Sequence, residues 1–203
     1  KEAVARAKGL DPAEIDDVIL GCAFPEGEQG MNIGRLAALQ AGLPDTVPGQ
    51  TVNRFCSSGL QSIAMAAERI MCGFAEVIVA GGTESMSTVP MGGNKTSPSP
   101  VLAESGIEAY TPMGITAENV AERFNISRED QDRLAVRSHQ NALAAIREGR
   151  FKDEILPLKI VHRLPGPDSK IVENEFVFDT DEGVRPGTSL EVLARLRPAF
   201  KRD

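Results

Sequence analysis

Two continuous apolar segments, residues 18–24 and 76–82, constrain the fold most. Neither shows the alternation of apolar and polar residues that a strand with one solvated face requires, so each predicts a strand covered on both faces. Between them, a helical pattern ends at Gly42, a β-prone segment leads to Cys56, and a second helical pattern follows. Strand, helix, strand, helix, strand in this order predicts an α/β fold with a largely parallel sheet.

Cys56 lies at the predicted turn between a strand and a helix. The residues after it place apolar side chains at helical spacing: Leu60, Ile63, Ala64, Ala67 and Met71. A thiol at the start of a helix meets unpaired N–H groups and the positive end of the helix dipole, which favour the nucleophilic thiolate. A small, buried packing cysteine is the alternative that local features leave open.

Composition and charge exclude several classes of protein. The chain has 22 basic and 29 acidic residues, a net charge of −7, and no basic run, which argues against nucleic-acid binding. No apolar run approaches the ~20 residues that span a bilayer, and no signal peptide opens the chain. We therefore expect a cytoplasmic protein that is not bound to a membrane.

The cysteines do not form a disulfide or metal pattern. Cys22, Cys56 and Cys72 are an odd number without metal-ligand spacing, which argues against a disulfide framework and a zinc site. Cys22 lies in an apolar strand and Cys72 at a helix end, so both are predicted to have packing roles.

The chain changes character after Ser87. Residues 90–112 are rich in Gly, Pro and Ser, which indicates a functional loop or a domain crossing. Beyond it the sequence predicts a helix with Thr116 as N-cap, a helix with Ser127 as N-cap, strands at 158–164 and 170–178, and a helix that runs from the cap at Thr188 and Ser189 through Leu196.

Other candidate groups receive structural interpretations. His139 lies on the apolar stripe of its helix and is predicted to be a core or interface histidine that makes one hydrogen bond. Glu84, just past a strand, is predicted to be a structural hydrogen-bonding group rather than an active-site carboxylate. A serine nucleophile elbow is excluded because Phe55, not glycine, lies two residues before Ser57, and no phosphate-binding glycine loop is present.

Six motifs, at residues 53–60 (NRFCSSGL), 79–87 (VAGGTESMS), 113–121, 127–132, 149–155 and 196–200, carry a resemblance to a known family. They resemble motifs of the thiolases, or acetyl-CoA C-acyltransferases. The first two are similar to that family's nucleophile region, and the other four are similar to its loop domain. The resemblance runs from about Asp17 to the last residue. It implies a thiolase-like α/β fold with a mixed, mostly parallel sheet and helices. In it, residues 1–86 form an incomplete N-terminal core half, and residues 87–203 form an inserted α+β loop domain that covers CoA.

The same resemblance implies an acyltransferase that cleaves 3-ketoacyl-CoA with CoA, or condenses acetyl-CoA units, through an acyl-cysteine intermediate. Cys56 matches the family's nucleophile, and Met113, Arg185 and Phe200 match its CoA-binding positions. A guanidinium suits that role because it pairs with phosphate or stacks on adenine. The resemblance also implies acyl-CoA and CoA as partners, no separate cofactor, no metal, and a homodimer or homotetramer.

The chain departs from the family's pattern in its remaining catalytic groups. The family's activating His, its second, acid–base Cys and the Asn that positions a water have no matching positions, since neither His139 nor His162 corresponds to that base. We therefore expect a piece of a longer thiolase that has negligible activity alone. The alternatives are a ketoacyl synthase, which shares the cysteine turn but not the loop-domain motifs, and a non-catalytic CoA-binding or interaction fragment.

Overall fold

The computed structural model describes residues 1–166 and 170–201. The chain divides into two units, Lys1–Ser99 and Pro100–Asp203. The division falls inside the segment rich in Gly, Pro and Ser between residues 90 and 112.

The first unit contains a parallel sheet. Its elements are α1 (Glu2–Arg6), β1 (Asp17–Gly21), α2 (Ile33–Ala41), β2 (Gly49–Val52), α3 (Ser58–Met71) and β3 (Ile78–Gly82). The strand order is β2-β1-β3, with β1 in the centre and parallel to both neighbours. The predicted α/β fold with a parallel sheet is confirmed.

The central strand carries the core of this unit. Ile19 is fully buried, and Val18 packs in a cluster with Ile15, Ala38 and Val47. Burial of these apolar side chains is the main force that holds α2 and the loops around it against the sheet.

The buried Asp17 carboxylate, at the start of β1, ties α3 and β2 to that strand. Arg69 of α3 pairs with its Oδ2 atom at 2.6 Å, and the Gln50 amide of β2 donates to the same oxygen at 2.9 Å. The buried negative charge of Asp17 is therefore compensated by the Arg69 cation and by a hydrogen bond from Gln50.

Asn32 fixes the start of α2 against β2. Its Oδ1 accepts hydrogen bonds from the Arg35 N–H at 3.3 Å and the Thr51 hydroxyl at 2.9 Å, and its amide donates to the Gly49 carbonyl at 2.8 Å. An Asn at this position satisfies an otherwise unpaired helix N–H. The predicted end of the helix at Gly42 is confirmed, with φ at +84°.

The helical period predicted after Cys56 is confirmed, but its large apolar side chains do not pack on the sheet. Leu60, Ile63 and Met71 are 71%, 53% and 84% exposed. The buried face of α3 consists of small residues, Ser58, Ser62 and Ala66. Small side chains face the sheet because the helix approaches strands that end in glycine, where the backbones nearly touch.

The second unit combines helices with a two-stranded hairpin. Its elements are α4 (Pro100–Glu104), α5 (Met113–Arg123), α6 (Arg128–Arg147), β4 (Leu158–Pro165), β5 (Ile171–Phe178) and α7 (Leu190–Leu193). β4 and β5 pair antiparallel. Within the described residues, this unit is α+β. No helix in the described part of the chain combines the length and apolar composition that a membrane crossing requires.

Two helix boundaries in this unit differ from the sequence predictions. Thr116 is not an N-cap: α5 begins at Met113, and the Thr116 N–H and hydroxyl both bond the Pro112 carbonyl. Proline's fixed φ allows the helix to start one turn earlier. α7 ends at Leu193 instead of reaching Leu196, because the Arg128 guanidinium donates to the carbonyls of both residues and satisfies the helix end. The Ser127 cap is confirmed.

Candidate active site

Cys56 lies in a tight turn that joins β2 to α3. Phe55–Ser57 forms a single 3-10 turn, and the 14-residue α3 begins at Ser58. The Cys56 residue is exposed. The predicted strand-to-helix turn is therefore confirmed, with a thiol placed just before the N-terminal N–H groups of a long helix.

Hydroxyl groups close this turn from both sides. The buried Ser58 hydroxyl accepts the Arg54 N–H at 2.9 Å and donates to the Phe55 carbonyl at 2.5 Å. The Ser57 hydroxyl and N–H both donate to the Arg54 carbonyl, at 3.0 and 3.1 Å. The two serines after Cys56 thus fix the backbone around it.

Direct backbone contact sets the distance between α3 and the sheet. A Cβ atom at Gly21 would lie 2.3 Å from the Ser58 carbonyl carbon, and one at Gly82 would lie 3.4 Å from the Gly59 Cα. The fully buried Ser62 hydroxyl lies 2.6 Å from the Gly81 carbonyl. The start of α3 therefore packs directly on the glycine residues at the ends of β1 and β3.

A hydrogen-bonded network connects the loops after the three strands. Asn53 accepts the Phe55 N–H at 2.9 Å and donates to the Ala23 carbonyl at 3.0 Å. The Ala23 N–H donates to Glu84 Oε2 at 2.6 Å, and the Gln29 amide donates to Glu84 Oε1. Glu84 forms hydrogen bonds, as predicted.

The other two cysteines have different environments. Cys22 is 1% exposed, and its packing role is confirmed. Burial, followed by the negative charge of Glu84, raises the pKa of the Cys22 thiol. The packing role predicted for Cys72 is wrong: it is exposed, because it is the C-cap residue that follows the last residue of α3.

Two of the three predicted CoA-binding residues lie at one helix start in the second unit. Met113 is the first residue of α5, and the Phe200 ring covers Gly114, where a Cβ atom would lie 2.3 Å from the ring. Met113 and Phe200 are 69% and 59% exposed. The structure therefore places both exposed side chains near the start of α5.

Arg185, the third predicted CoA-binding residue, is held against α6. Its backbone N–H donates to His139 Nδ1 at 3.2 Å, and its carbonyl accepts the Thr188 hydroxyl at 3.0 Å. His139 is half-buried and makes this hydrogen bond, in agreement with its predicted structural role. His162 packs edge-on against Phe176 with ring centroids 4.9 Å apart.

The described residues contain no group of three or more His, Cys, Asp or Glu side chains placed to hold a metal ion.

All of the chain, residues 1–203, matches the family model described as "Thiolase, N-terminal domain". The chain belongs to the thiolase family. It is 56% identical over 203 residues to a 3-ketoacyl-CoA thiolase of Bacillus subtilis, covering 100% of this chain and 52% of that protein. It is 46% identical over 209 residues to an acetyl-CoA acetyltransferase of Pseudomonas aeruginosa, covering 96% and 50%.

The crystal structure of a Bacillus anthracis acetyl-CoA acetyltransferase is similar to this thiolase chain, with a TM-score of 0.80 and 40% identity over 99% of this chain and 51% of that chain. The thiolase-like fold predicted from the sequence is therefore confirmed. The thiolase chain spans about half the length of the curated relatives it matches.

The nucleophilic role of Cys56 in this thiolase chain stays a prediction, and the residues that hold its turn were not predicted. Asn53, Ala23 and Gln29 were not among the predicted site residues, although their hydrogen bonds connect the turn to Glu84. One signal was present: Asn53 lies two residues before Phe55, which is the spacing of a turn closed by an Asn side chain.

Proposed function

We propose that the intact protein is a thiolase that transfers acyl groups through Cys56, by thiolysis of 3-ketoacyl-CoA or by condensation of acetyl-CoA units. The observation that carries this proposal is the exposed Cys56 on a tight turn at the N-terminus of α3, in a chain that matches the thiolase N-terminal domain along its whole length.

The geometry supports a nucleophilic role for this thiol. The N-terminal N–H groups of α3 and its dipole favour the negative charge that develops on the carbonyl oxygen under attack by Cys56. In thiolysis, the Cys56 sulfur bonds to the keto carbon, and the carbon–carbon bond to the acetyl-CoA unit breaks. That unit leaves as a carbanion and takes a proton. The thiol of a second CoA then displaces the Cys56 sulfur and loses its proton.

CoA is the proposed partner of the second unit, residues 100–203. Met113 and Phe200 offer exposed apolar side chains near the start of α5 for the pantetheine or adenine part of the molecule, and Arg185 offers a cation for phosphate. CoA enters as substrate, and no separate cofactor is part of the proposal.

The proposed location is the cytoplasm, and the proposed assembly is a homodimer or homotetramer. The bacterial relatives support the location, whereas a relative from Arabidopsis thaliana, 43% identical, is named as peroxisomal. Fractionation and light scattering of the protein expressed from its intact gene test these two points.

Acetylation of Cys56 tests the proposed chemistry. The protein expressed from its intact gene is mixed with acetyl-CoA, quenched in acid and digested. The mass of the peptide that contains Cys56 is then measured by mass spectrometry. We expect one acetyl group on Cys56, none on that peptide in Cys56→Ala, and unchanged acetylation of Cys56 in Cys72→Ser, which removes the other exposed thiol. Binding of CoA without acetylation of Cys56 would instead support a non-catalytic CoA-binding protein.

A further inference from the structure

Phe55, the residue before Cys56, has a backbone conformation that its side chain disfavours. Its φ is +45°, in the left-handed region, where a bulky residue is an outlier. Such conformations persist only where surrounding contacts hold them, and they cluster at active sites. Whatever holds Phe55 therefore also fixes the direction in which the Cys56 side chain leaves the backbone.

Asn53 and Ser58 both bond the Phe55 backbone, and of the two only Asn53 also connects it to another loop. The Asn53 Oδ1 accepts the Phe55 N–H at 2.9 Å, which closes the turn from within. Its Nδ2 donates to the Ala23 carbonyl at 3.0 Å, which anchors the turn to the loop after β1. The Asn53 side-chain oxygen therefore forms a hydrogen bond within the turn, and its nitrogen forms one to a residue outside the turn.

Glu84 holds Ala23, the residue to which Asn53 is bonded. The peptide of Ala23 accepts from Asn53 through its carbonyl, while the Ala23 N–H donates to Glu84 Oε2 at 2.6 Å. The buried Gln29 side chain donates from Nε2 to Glu84 Oε1, and its Oε1 accepts the Ser85 N–H at 2.8 Å. The chain of hydrogen bonds therefore runs from β3 through the loop after β1 to the turn after β2.

The sheet register explains why these three loops meet. Gly21 pairs with Val52 on one side and with Gly82 on the other, so the three parallel strands end side by side. Ala23, Asn53 and Glu84 each follow their strand by one or two residues. Ligands of open α/β sheets bind at this carboxyl edge, which is where Cys56 lies.

We propose that Asn53 and Glu84 are positioning residues, which hold the Phe55–Cys56 turn so that the Cys56 sulfur meets the substrate carbonyl carbon in one fixed direction. This inference rests on the proposed function of Cys56 as nucleophile. Neither side chain touches substrate; both act through the backbone of the turn. Acyl transfer needs this alignment of sulfur and carbonyl, whereas reaction with a small, freely tumbling alkylating reagent does not.

The test compares two reactions of the same thiol in the protein expressed from its intact gene. One is the maximal single-turnover rate of Cys56 acetylation by saturating acetyl-CoA, and the other is alkylation of Cys56 by iodoacetamide, both measured by peptide mass spectrometry. In Asn53→Ala and Glu84→Gln we expect acetylation to slow by about 10- to 100-fold, while alkylation and half-saturation by acetyl-CoA change by less than about threefold. Asn53→Asp, which keeps the acceptor for the Phe55 N–H, retains more of the rate than Asn53→Ala.

Asn32→Ala is the control, since it removes an Asn whose side chain makes three hydrogen bonds at the start of α2, one more than Asn53 makes at the Cys56 turn. It is expected to lower the melting temperature without slowing acetylation. If Asn53→Ala does not fold, the rates of Asn53→Asp and Glu84→Gln test the positioning roles in its place. Acetylation at the wild-type rate in the variants, or an equal fall in acetylation and alkylation, overturns the positioning roles alone. A wild-type protein that is never acetylated at Cys56 overturns the proposed function itself.

Discussion

Replacing Gly21 by alanine tests whether the backbone contact between β1 and α3 sets the position of Cys56. The added Cβ would lie 2.3 Å from the Ser58 carbonyl carbon and 2.5 Å from the Gly59 nitrogen. Both are backbone atoms, so no change of rotamer relieves the clash. Ordinary van der Waals contact begins at 3.4 Å, so the strand and the start of the helix must separate by 3.4 − 2.3, or about 1.1 Å.

A displacement of this size has two consequences. Overpacking of a tightly packed site destabilises by about 1–3 kcal/mol, and each 1 kcal/mol lowers the melting temperature of a chain this size by about 2–4 °C. The turn that carries Cys56 moves with the start of α3, and a misplacement of about 1 Å slows a positioned reaction by about 100-fold. Gly21→Ala should therefore lose both stability and acetylation rate.

The neighbouring strand supplies graded controls. A Cβ at Gly81 would lie 3.9 Å from the Leu20 side chain, which is ordinary contact, and one at Gly82 would lie 3.3 Å from the Gly21 carbonyl oxygen. We expect Gly81→Ala to resemble wild type and Gly82→Ala to fall between Gly81→Ala and Gly21→Ala. Thermal unfolding and the single-turnover acetylation rate are measured on all three. If Gly21→Ala melts and reacts like Gly81→Ala, the backbone contact does not set the position of Cys56.

Two further predictions concern stability. Backbone hydrogen bonds from Glu76 and Val77 lower the pKa of Asp16, so its carboxylate stabilises the fold above its ordinary pKa of 3.8, and this contribution is lost as the pH falls through the lowered value. Urea unfolding should show Asp16→Asn less stable than wild type near neutral pH, with the difference vanishing in acid; a constant difference would contradict this. Ser127→Ala removes the cap of α6 and should lower the free energy of unfolding by about 1 kcal/mol, whereas Thr180→Ala, in an exposed loop, should not. Equal stability of these two variants would show that the cap contributes nothing.

The order of elements in the first unit could be predicted because it depends on local patterns. Continuous apolar strands separated by helical segments indicate a parallel sheet, and the turn at Cys56 follows from the change of period around it. The packed face of α3 could not be predicted this way. Hydrophobicity favours burial of Leu60 and Ile63, yet the glycine ends of β1 and β3 admit only small side chains such as Ser62.

The hydrogen bonds behind Cys56 also lay beyond local pattern. They connect Ala23, Asn53 and Glu84, which are far apart in sequence and become neighbours only through the register of the sheet. The start of α5 shows a smaller effect of the same kind. Thr116 has the preference of an N-cap residue, but the rigid backbone of Pro112 and a hydrogen bond to its carbonyl extend the helix by a turn.

The glycine at position 21 has a genetic consequence. Every single-nucleotide change of a glycine codon that is not silent or a stop encodes an amino acid with a Cβ atom. At Gly21 that one carbon meets the helix backbone whatever follows it in the side chain. In a library of random substitutions, Gly21 should therefore tolerate no other amino acid, although glycine carries no side-chain functional group.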